Sequence, residues 1–322
     1  MGNREMEKAM DAYVPLELPM PKAVAIQKLL RRAARAATPY IMVAPAILTL
    51  CVFVVYPILY MVWLSAYRWD MIGPMVYVGF GNFAELFSNP DFYLVMGNTF
   101  KFMFLTVSVS IVLALLLAVY LKANTRVNAL LRSFIFVPYV ISMVSVAFIW
   151  AWLMNSEYGL LNFMLGKAGM SGVRWLEDAG VAMYSMIIVA VWKGLGYNVI
   201  ILVSAMHAIP NQLYEAAALD NTRPLRAFFR ITLPMISPTL FFLTLMNIIA
   251  AFKVFDQVAL MTGGGPVNAT NTLVFDIYQF GFKFYQLGYA SAQGVLLMLL
   301  IAVCTAAYFG ALSRRVHYGG GA

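Results

Sequence analysis

Cysteine is almost missing from this chain of 322 residues, and the two present, Cys51 and Cys304, both fall inside apolar segments. That excludes a disulfide scaffold and a thiolate metal centre, and leaves both as small core residues. Histidine is equally scarce: His207 and His317 stand alone, with no Cys or carboxylate at ligand spacing, so neither reads as a metal ligand. No G-x-x-x-x-G-K-[ST] stretch occurs, so the chain cannot cradle ATP as such a loop does. No Ser, His and Asp fall in an arrangement that would activate a nucleophile. The chain therefore reads as no enzyme, with no cofactor of its own. Charge is thin as well, at 11% of residues. No repeat is evident at any short period, and low-complexity sequence is confined to the tail at 319–321.

What fills the chain instead is apolar. With 62% hydrophobic residues and a mean hydropathy of +0.80, the composition is that of an integral membrane protein. A bilayer takes roughly 20 residues of helix, and apolar runs of that order place six spans at about 39–66, 96–121, 132–154, 183–207, 235–261 and 288–312. The expected fold class is thus an all-α membrane protein of six transmembrane helices. The first run exceeds what a bilayer requires; Pro45 and Pro57 allow it to kink, and tilt absorbs the excess. Ahead of it, residues 1–38 combine a mixed tail with a basic amphipathic helix at 22–37 (KAVAIQKLLRRAARAA), which suits a membrane surface. This is no cleavable signal, because the preceding tail and the following apolar run are both too long. Residues 39–315 form the transmembrane domain and 316–322 a short cytoplasmic tail. The loop at 67–95, with Trp69, Gly73-Pro74, Gly79, Gly81 and Asn89-Pro90, reads as irregular and exposed.

The net charge of +8 would suit nucleic acid or anionic lipid, so its placement decides between them. Thirteen basic residues, among them Arg31, Arg35, Lys122, Arg126, Arg132, Arg223, Arg226, Arg230 and Arg314, fall on one side of the six spans. Only five, Arg68, Lys101, Lys167, Arg174 and Lys283, fall on the other. The asymmetry puts both termini and the loop at 208–234 in the cytoplasm. It also accounts for the basic balance through membrane lipid, with no nucleic acid partner.

One polar stretch stands out, HAIPNQLYEAAALDNTRPLRAFFRITLPMISP at 207–238. Pro210 and Asn211 can open a helix, because a Pro in the first turn forfeits no needed N–H. Glu215 lies early in that helix, where its charge suits the dipole. Ala216, Ala217 and Ala218 are strong helix formers of minimal bulk, so another protein surface can approach closely. Asp220-Asn221 ends the run, since Asn tolerates the left-handed conformation. A second short helix sets Arg223, Arg226 and Arg230 among Leu225, Phe228, Phe229 and Ile231, and Leu233-Pro234 closes the hairpin.

Glu215-Ala216-Ala217, three residues, a turn residue, nine residues and Ile231-Thr232-Leu233-Pro234 reproduce the spacing EAA-x3-G-x9-I-x-LP. The stretch resembles the EAA loop of ABC-importer permeases, with Asn221 where that family usually has Gly. The resemblance covers roughly 40–315 and implies a type I ABC importer permease fold with cytoplasmic EAA coupling helices, in a bacterial inner membrane. It implies two nucleotide-binding subunits that carry ATP and Mg, a second homologous permease forming a heterodimer, and an extracytoplasmic solute-binding protein. It assigns ATPase coupling to Glu215, Ala216, Ala217, Asp220, Asn221, Arg226, Leu233 and Pro234. Glu215 would seat the knob, the alanines would allow a close fit, Asn221 would set the turn, and Leu233-Pro234 would join the knob to the fifth span. Gly264-Gly265-Pro266, followed by Thr270 and Thr272, is similar to the GGP element of sugar-importer permeases and so points to a carbohydrate.

Polar residues inside spans are costly there and mark candidate solute paths. The fourth span carries Trp192, Lys193, Gly194, Gly196, Tyr197 and Asn198, and the fifth carries Asn247. Sugars stack on aromatic faces and bond to amides, which Trp192, Tyr197 and Asn198 supply. By the resemblance, Lys193, Gly194, Tyr197 and Asn247 fall at positions that line the sugar site of maltose-importing permeases, whereas Ala250, Ala251 and Val254 depart from it. The other reading is that the glycines merely allow helix packing and Tyr197 faces headgroups. Lys253 and Asp256, three apart, read as neutralising each other on one helical face. Lys193 has no acidic residue in its own span. Either it pairs across helices or it meets an anionic group, which would make the solute a uronate oligosaccharide or a glycerol phosphate. A permease for a non-sugar solute and an ion-coupled secondary transporter are the alternatives; the latter needs coupling-ion carboxylates and often a repeat, and only Asp256 stands out.

Overall fold

The computed structural model describes residues 38–312. The expected tail and basic helix at the start, and Arg314, Arg315 and His317 at the end, lie outside the described residues. The chain divides into two units, Met1–Tyr60 and Met61–Ala322. Helix α1 runs Thr38–Leu64, with a π turn at Cys51–Val55 just ahead of Pro57, whose missing N–H disturbs the regular ladder. All the sites below belong to the second unit.

After α1 a two-residue hairpin, β1 (Tyr67–Arg68) against β2 (Val76–Tyr77), is followed by the short helix α2 (Gly81–Ser88). Helix α3 then runs Pro90–Leu121. It begins earlier than the sequence suggests, because Asn89-Pro90 is a helix start rather than a loop: the Asn89 side chain accepts from the Asp91 N–H at 3.0 Å, and Pro90 sits in the first turn. The third apolar run is two helices, α4 (Arg126–Val140) and α5 (Met143–Leu153), turned by 98°. Pro138 near the end of α4 removes a ladder bond, and the chain leaves the helix at Ile141. Next come α6 (Leu160–Lys167) and the long α7 (Ala182–His207). The polar stretch folds as α8 (Asn211–Leu219) and α9 (Pro224–Met235), which bends by 67° into α10 (Ser237–Phe252). Past α10 the chain breaks at Lys253, resumes to a π turn at Val258–Thr262, and stops at Gly263 with φ 60°. Helix α11 (Leu273–Tyr278) and α12 (Leu287–Leu312) complete the order.

Among the described residues, α1, α3, α7 and α12 are each long and apolar enough to cross a bilayer, and counting each bent pair as one span gives six. Lys253 and Asp256 do not share a helical face, because α10 ends at Phe252, and they form no ion pair among the described residues. Among the described residues, the carboxylate that is buried is instead Asp276 in α11, between spans. It accepts from the amides of Asn271 and Gln293; burial pushes its carboxyl up while those donors pull the other way.

The core that positions the site is α3 against α7. Ala114 and Ala118, one turn apart, are fully buried against Val199, Leu202, Val203 and Met206. Small side chains at that spacing let two backbones approach without a polar driving force. On its other side α7 meets α4 at Gly196. A Cβ there would lie 2.1 Å from the Ile135 carbonyl oxygen and 2.6 Å from the Phe136 Cα, so only glycine permits this crossing.

Candidate functional site

A cavity of about 330 Å³ opens where α3, α4, α5, α7 and the end of α10 converge. Helix α7 contributes Lys193, Gly194, Tyr197 and Asn198, and α10 contributes Asn247, Ala250 and Ala251, with Val254 just beyond it. The ammonium of Lys193 donates to three backbone carbonyls of the α4–α5 break: Ile141 at 2.6 Å, Tyr139 at 3.2 Å and Pro138 at 3.3 Å. Those oxygens have lost helical partners because the helix ends there, and the negative end of the α4 dipole draws a cation. An ammonium has three donors, and this collar takes all three. Lys193 thus bonds across helices, but to neutral carbonyls. The ion pairs among the described residues are Arg68–Glu85 and Arg174–Glu177, so its charge meets no carboxylate.

The Tyr139 and Tyr197 rings stack with centroids 4.7 Å apart and planes 17° from parallel, both at the cavity edge. Asn198 and Asn247 bond reciprocally through their amides at 3.3 and 3.0 Å, and Asn247 also donates to the Leu243 carbonyl at 2.8 Å. Asn247 therefore has both amide donors engaged within the protein, and Asn198 one of its two. Trp192 does not line the cavity. One residue along a helix is a turn of about 100°, and its ring packs edge-on against Trp150 at 5.3 Å instead.

The cavity also recruits residues that sequence reasoning missed: Tyr139, Thr106, Ser110 and Gln257. Thr106 and Ser110 sit one turn apart on one face of α3, a spacing that could have marked them. The Thr106 hydroxyl is buried and has no partner among the described residues.

The helix–turn–helix from Asn211 to Met235 is built differently. Helix α8 ends in a Schellman motif: the Thr222 N–H bonds to the Ala217 carbonyl at 2.9 Å and the Asn221 N–H to the Ala218 carbonyl at 3.0 Å, with Asn221 at φ 50°. Asp220 is the residue that caps it. Glu215 and Ala216 are exposed and Ala217 half-buried. The Tyr214 hydroxyl meets the Thr232 hydroxyl at 2.8 Å and ties the two helices. Arg226, with Asn221, Arg223, Leu225 and Phe229, edges a recess of about 540 Å³, and Leu225 is 71% exposed beside it. Leu233-Pro234 do not close the hairpin. They lie within the last turn of α9, and the bend falls at Ile236, where α10 starts afresh with Pro238 in its first turn.

The family described as "Binding-protein-dependent transport system inner membrane component" matches residues 110–318. The sn-glycerol-3-phosphate transport system permease protein of Pectobacterium atrosepticum is 35% identical over 284 residues, covering 87% of this chain and 95% of that protein. The protein of the same description from Agrobacterium fabrum is 35% identical over 285 residues, covering 87% and 96%. Among solved structures, a chain of a bacterial alginate ABC transporter in complex with alginate pentasaccharide-bound periplasmic protein superposes with a TM-score of 0.80 at 23% identity, over 91% of this chain and all of that one. That likeness is one of fold.

Proposed function

Since this chain belongs to the family of binding-protein-dependent transport system inner membrane components, we propose that it is the membrane-spanning permease subunit of an ATP-driven carbohydrate importer. The permease sits in the inner membrane as a multi-pass protein and hydrolyses nothing itself; ATP hydrolysis belongs to two nucleotide-binding subunits. A second homologous permease and an extracytoplasmic solute-binding protein complete the system. The solute is a carbohydrate bearing phosphate or carboxylate.

The single observation that carries this reading is Lys193. A cation in a mid-span cavity, satisfied by carbonyl dipoles but facing no carboxylate, leaves a net positive site where an anionic solute is favoured and a cationic one repelled. Relatives named for sn-glycerol 3-phosphate agree with that preference. Tyr197 and Tyr139 offer apolar ring faces to a sugar, Gly194 leaves room beside Lys193, and the Asn198–Asn247 pair lends hydrogen bonds at the wall. Trp192 supports α5 through Trp150 rather than touching solute.

The helix–turn–helix is the coupling element. Glu215 seats it in the ATPase, Ala216 and Ala217 permit close approach, and Asp220-Asn221 hold the turn. Arg226 lines the recess that a partner side chain fills, and Leu233-Pro234 carry motion into α10. Closure of the ATPase pair would move this lever and switch the bundle between inward and outward openings.

The test is ATPase activity of the complex purified through this chain, in lipid with its binding protein, against sn-glycerol 3-phosphate, a uronate oligosaccharide and a neutral maltooligosaccharide. Stimulation by an anionic member is the expected result. Stimulation by the neutral sugar alone would overturn the substrate class, and absence of any co-purifying ATPase would overturn the subunit assignment.

A further inference from the structure

A second recess opens along the same pair of helices. On α7, Lys193, Tyr197, Ile200, Ser204 and His207 are spaced four, three, four and three residues apart and so share one face. The first two line the central cavity; Ile200, Ser204 and His207 line another recess, of about 360 Å³, toward the end of α7 that leads into the helix–turn–helix. Helix α4 repeats the pattern in reverse: Tyr139 edges the central cavity, and Phe136 and Arg132, three and seven residues back, edge the second recess. The stacked Tyr139 and Tyr197 rings are the lining of the central cavity nearest in register to the second recess, three residues from Phe136 and Ile200. At about 1.5 Å rise per residue, Lys193 and His207 are about 21 Å apart along α7.

The chemistry of the second recess is of one sign. Arg132 is half-buried in its wall and pairs with no carboxylate among the described residues, and no Asp or Glu lines the recess. His207 engages the Lys122 carbonyl at 2.6 Å through Nε2, and Ser204 adds a hydroxyl. A guanidinium presents a planar fork matched to phosphate or carboxylate. The remainder of the wall, Phe136, Ile200 and Val203, is apolar.

We propose that this recess is a second anion-binding station on the solute path, taking the phosphate or carboxylate of the transported carbohydrate after it passes the Tyr139–Tyr197 stack. The station rests on the importer reading above. Its alignment with the central cavity along one face of each helix, and the absence of any lining carboxylate, commit it to the solute. The same anionic chemistry on a phospholipid headgroup is the rival occupant.

Both are separated by cysteine protection. In the assembled complex carrying Cys51→Ala, Cys304→Ala and Ser204→Cys, inside-out membrane vesicles are treated with a membrane-impermeant thiol reagent, with and without sn-glycerol 3-phosphate or a uronate oligosaccharide. Solute added at about ten times its Kd is expected to slow labelling by about tenfold; Arg132→Gln should abolish the protection and Arg132→Lys restore part of it. Labelling indifferent to solute, labelling from the opposite face only, or protection by added anionic phospholipid and not by solute would each overturn the station. A complex that takes up neither solute fails the anionic-solute reading above and takes the station with it. Uptake of one of them with Ser204→Cys unprotected fails the station alone.

Discussion

Positive charge is handled in two opposite ways in this molecule. Lys193, in the middle of α7, has every donor committed to the carbonyls of a broken helix. Arg223 and Arg226, on the helix–turn–helix, are exposed and edge an open recess, with no ion pair among the described residues. The first charge is part of the fold: it holds the 98° turn between α4 and α5 and would leave three oxygens orphaned if removed. The second is part of no internal structure, so its use lies in whatever surface meets it. A substitution at the cavity should therefore be felt in stability and transport together, and one at an exposed charge of the loop in coupling alone.

Ranked by cost to the fold, Gly196→Val should be the most severe way to press this contrast. The added side chain meets Ile135 and Phe136 backbone, which cannot step aside, and α4 must be displaced. Overpacking of this kind costs about 3 kcal/mol, enough to lower the unfolding midpoint by several degrees in a detergent melt. An unchanged melt would mean that α4 and α7 do not cross there. Lys193→Met comes next. The cavity lets water reach some of the freed carbonyls, so the expected loss is about 1 kcal/mol rather than the full penalty for buried orphans, with uptake of an anionic solute down by at least about tenfold. Lost uptake with an unmoved melting temperature would make Lys193 a contact for solute only, and the contrast with the arginines would narrow.

The same contrast separates what was legible in the sequence from what was not. The loop could be read because its determinants lie close in sequence: an Asn at positive φ just past the helix cap, the alanines ahead of it, and a fixed spacing to Leu233-Pro234 within the same short stretch. The cavity could be read only in part. Lys193, Gly194, Tyr197, Asn198 and Asn247 are conspicuous because polar or small residues in a span are unusual, and all five line it. Tyr139, Thr106 and Gln257 reach it through the register of helices that touch far apart in sequence, which no local pattern encodes. Trp192 is aromatic at the right depth but a third of a turn away. Pro138 was visible too, yet proline alone bends spans modestly; the sharp break is held by Lys193, which reaches the Ile141 carbonyl across 52 positions of chain. Equally invisible was Asp276, an acidic residue whose burial depends on amides from Asn271 and Gln293.

The loop side is sharpened first by Asn221→Gly. At φ 50° an asparagine pays a small conformational penalty that glycine avoids, though glycine is freer when unfolded, so the two nearly cancel and the change should lie within about 0.5 kcal/mol. Asn221→Val, β-branched and unable to hold that φ comfortably, should cost about 1 kcal/mol or more by the same melt.

Glu215→Lys should cost the fold least of all. Its side chain is exposed and forms no ion pair among the described residues, so nothing internal is lost when the charge is reversed. A surface change of this type lies within about 0.5 kcal/mol, and the melt should not move. If the exposed face of α8 is where the ATPase docks, however, reversing the charge at its centre places a repulsive group in the contact. ATP hydrolysis by the assembled complex should then proceed without solute uptake, or the ATPase should dissociate on purification. An intact melt with intact coupled uptake would show that the exposed charges of the loop await no partner. The two ways of holding charge would then differ in solvent exposure and not in purpose. An intact melt with uncoupled hydrolysis would instead tie the exposure of Glu215 to the partner it meets, as the committed donors of Lys193 tie it to the helix it holds.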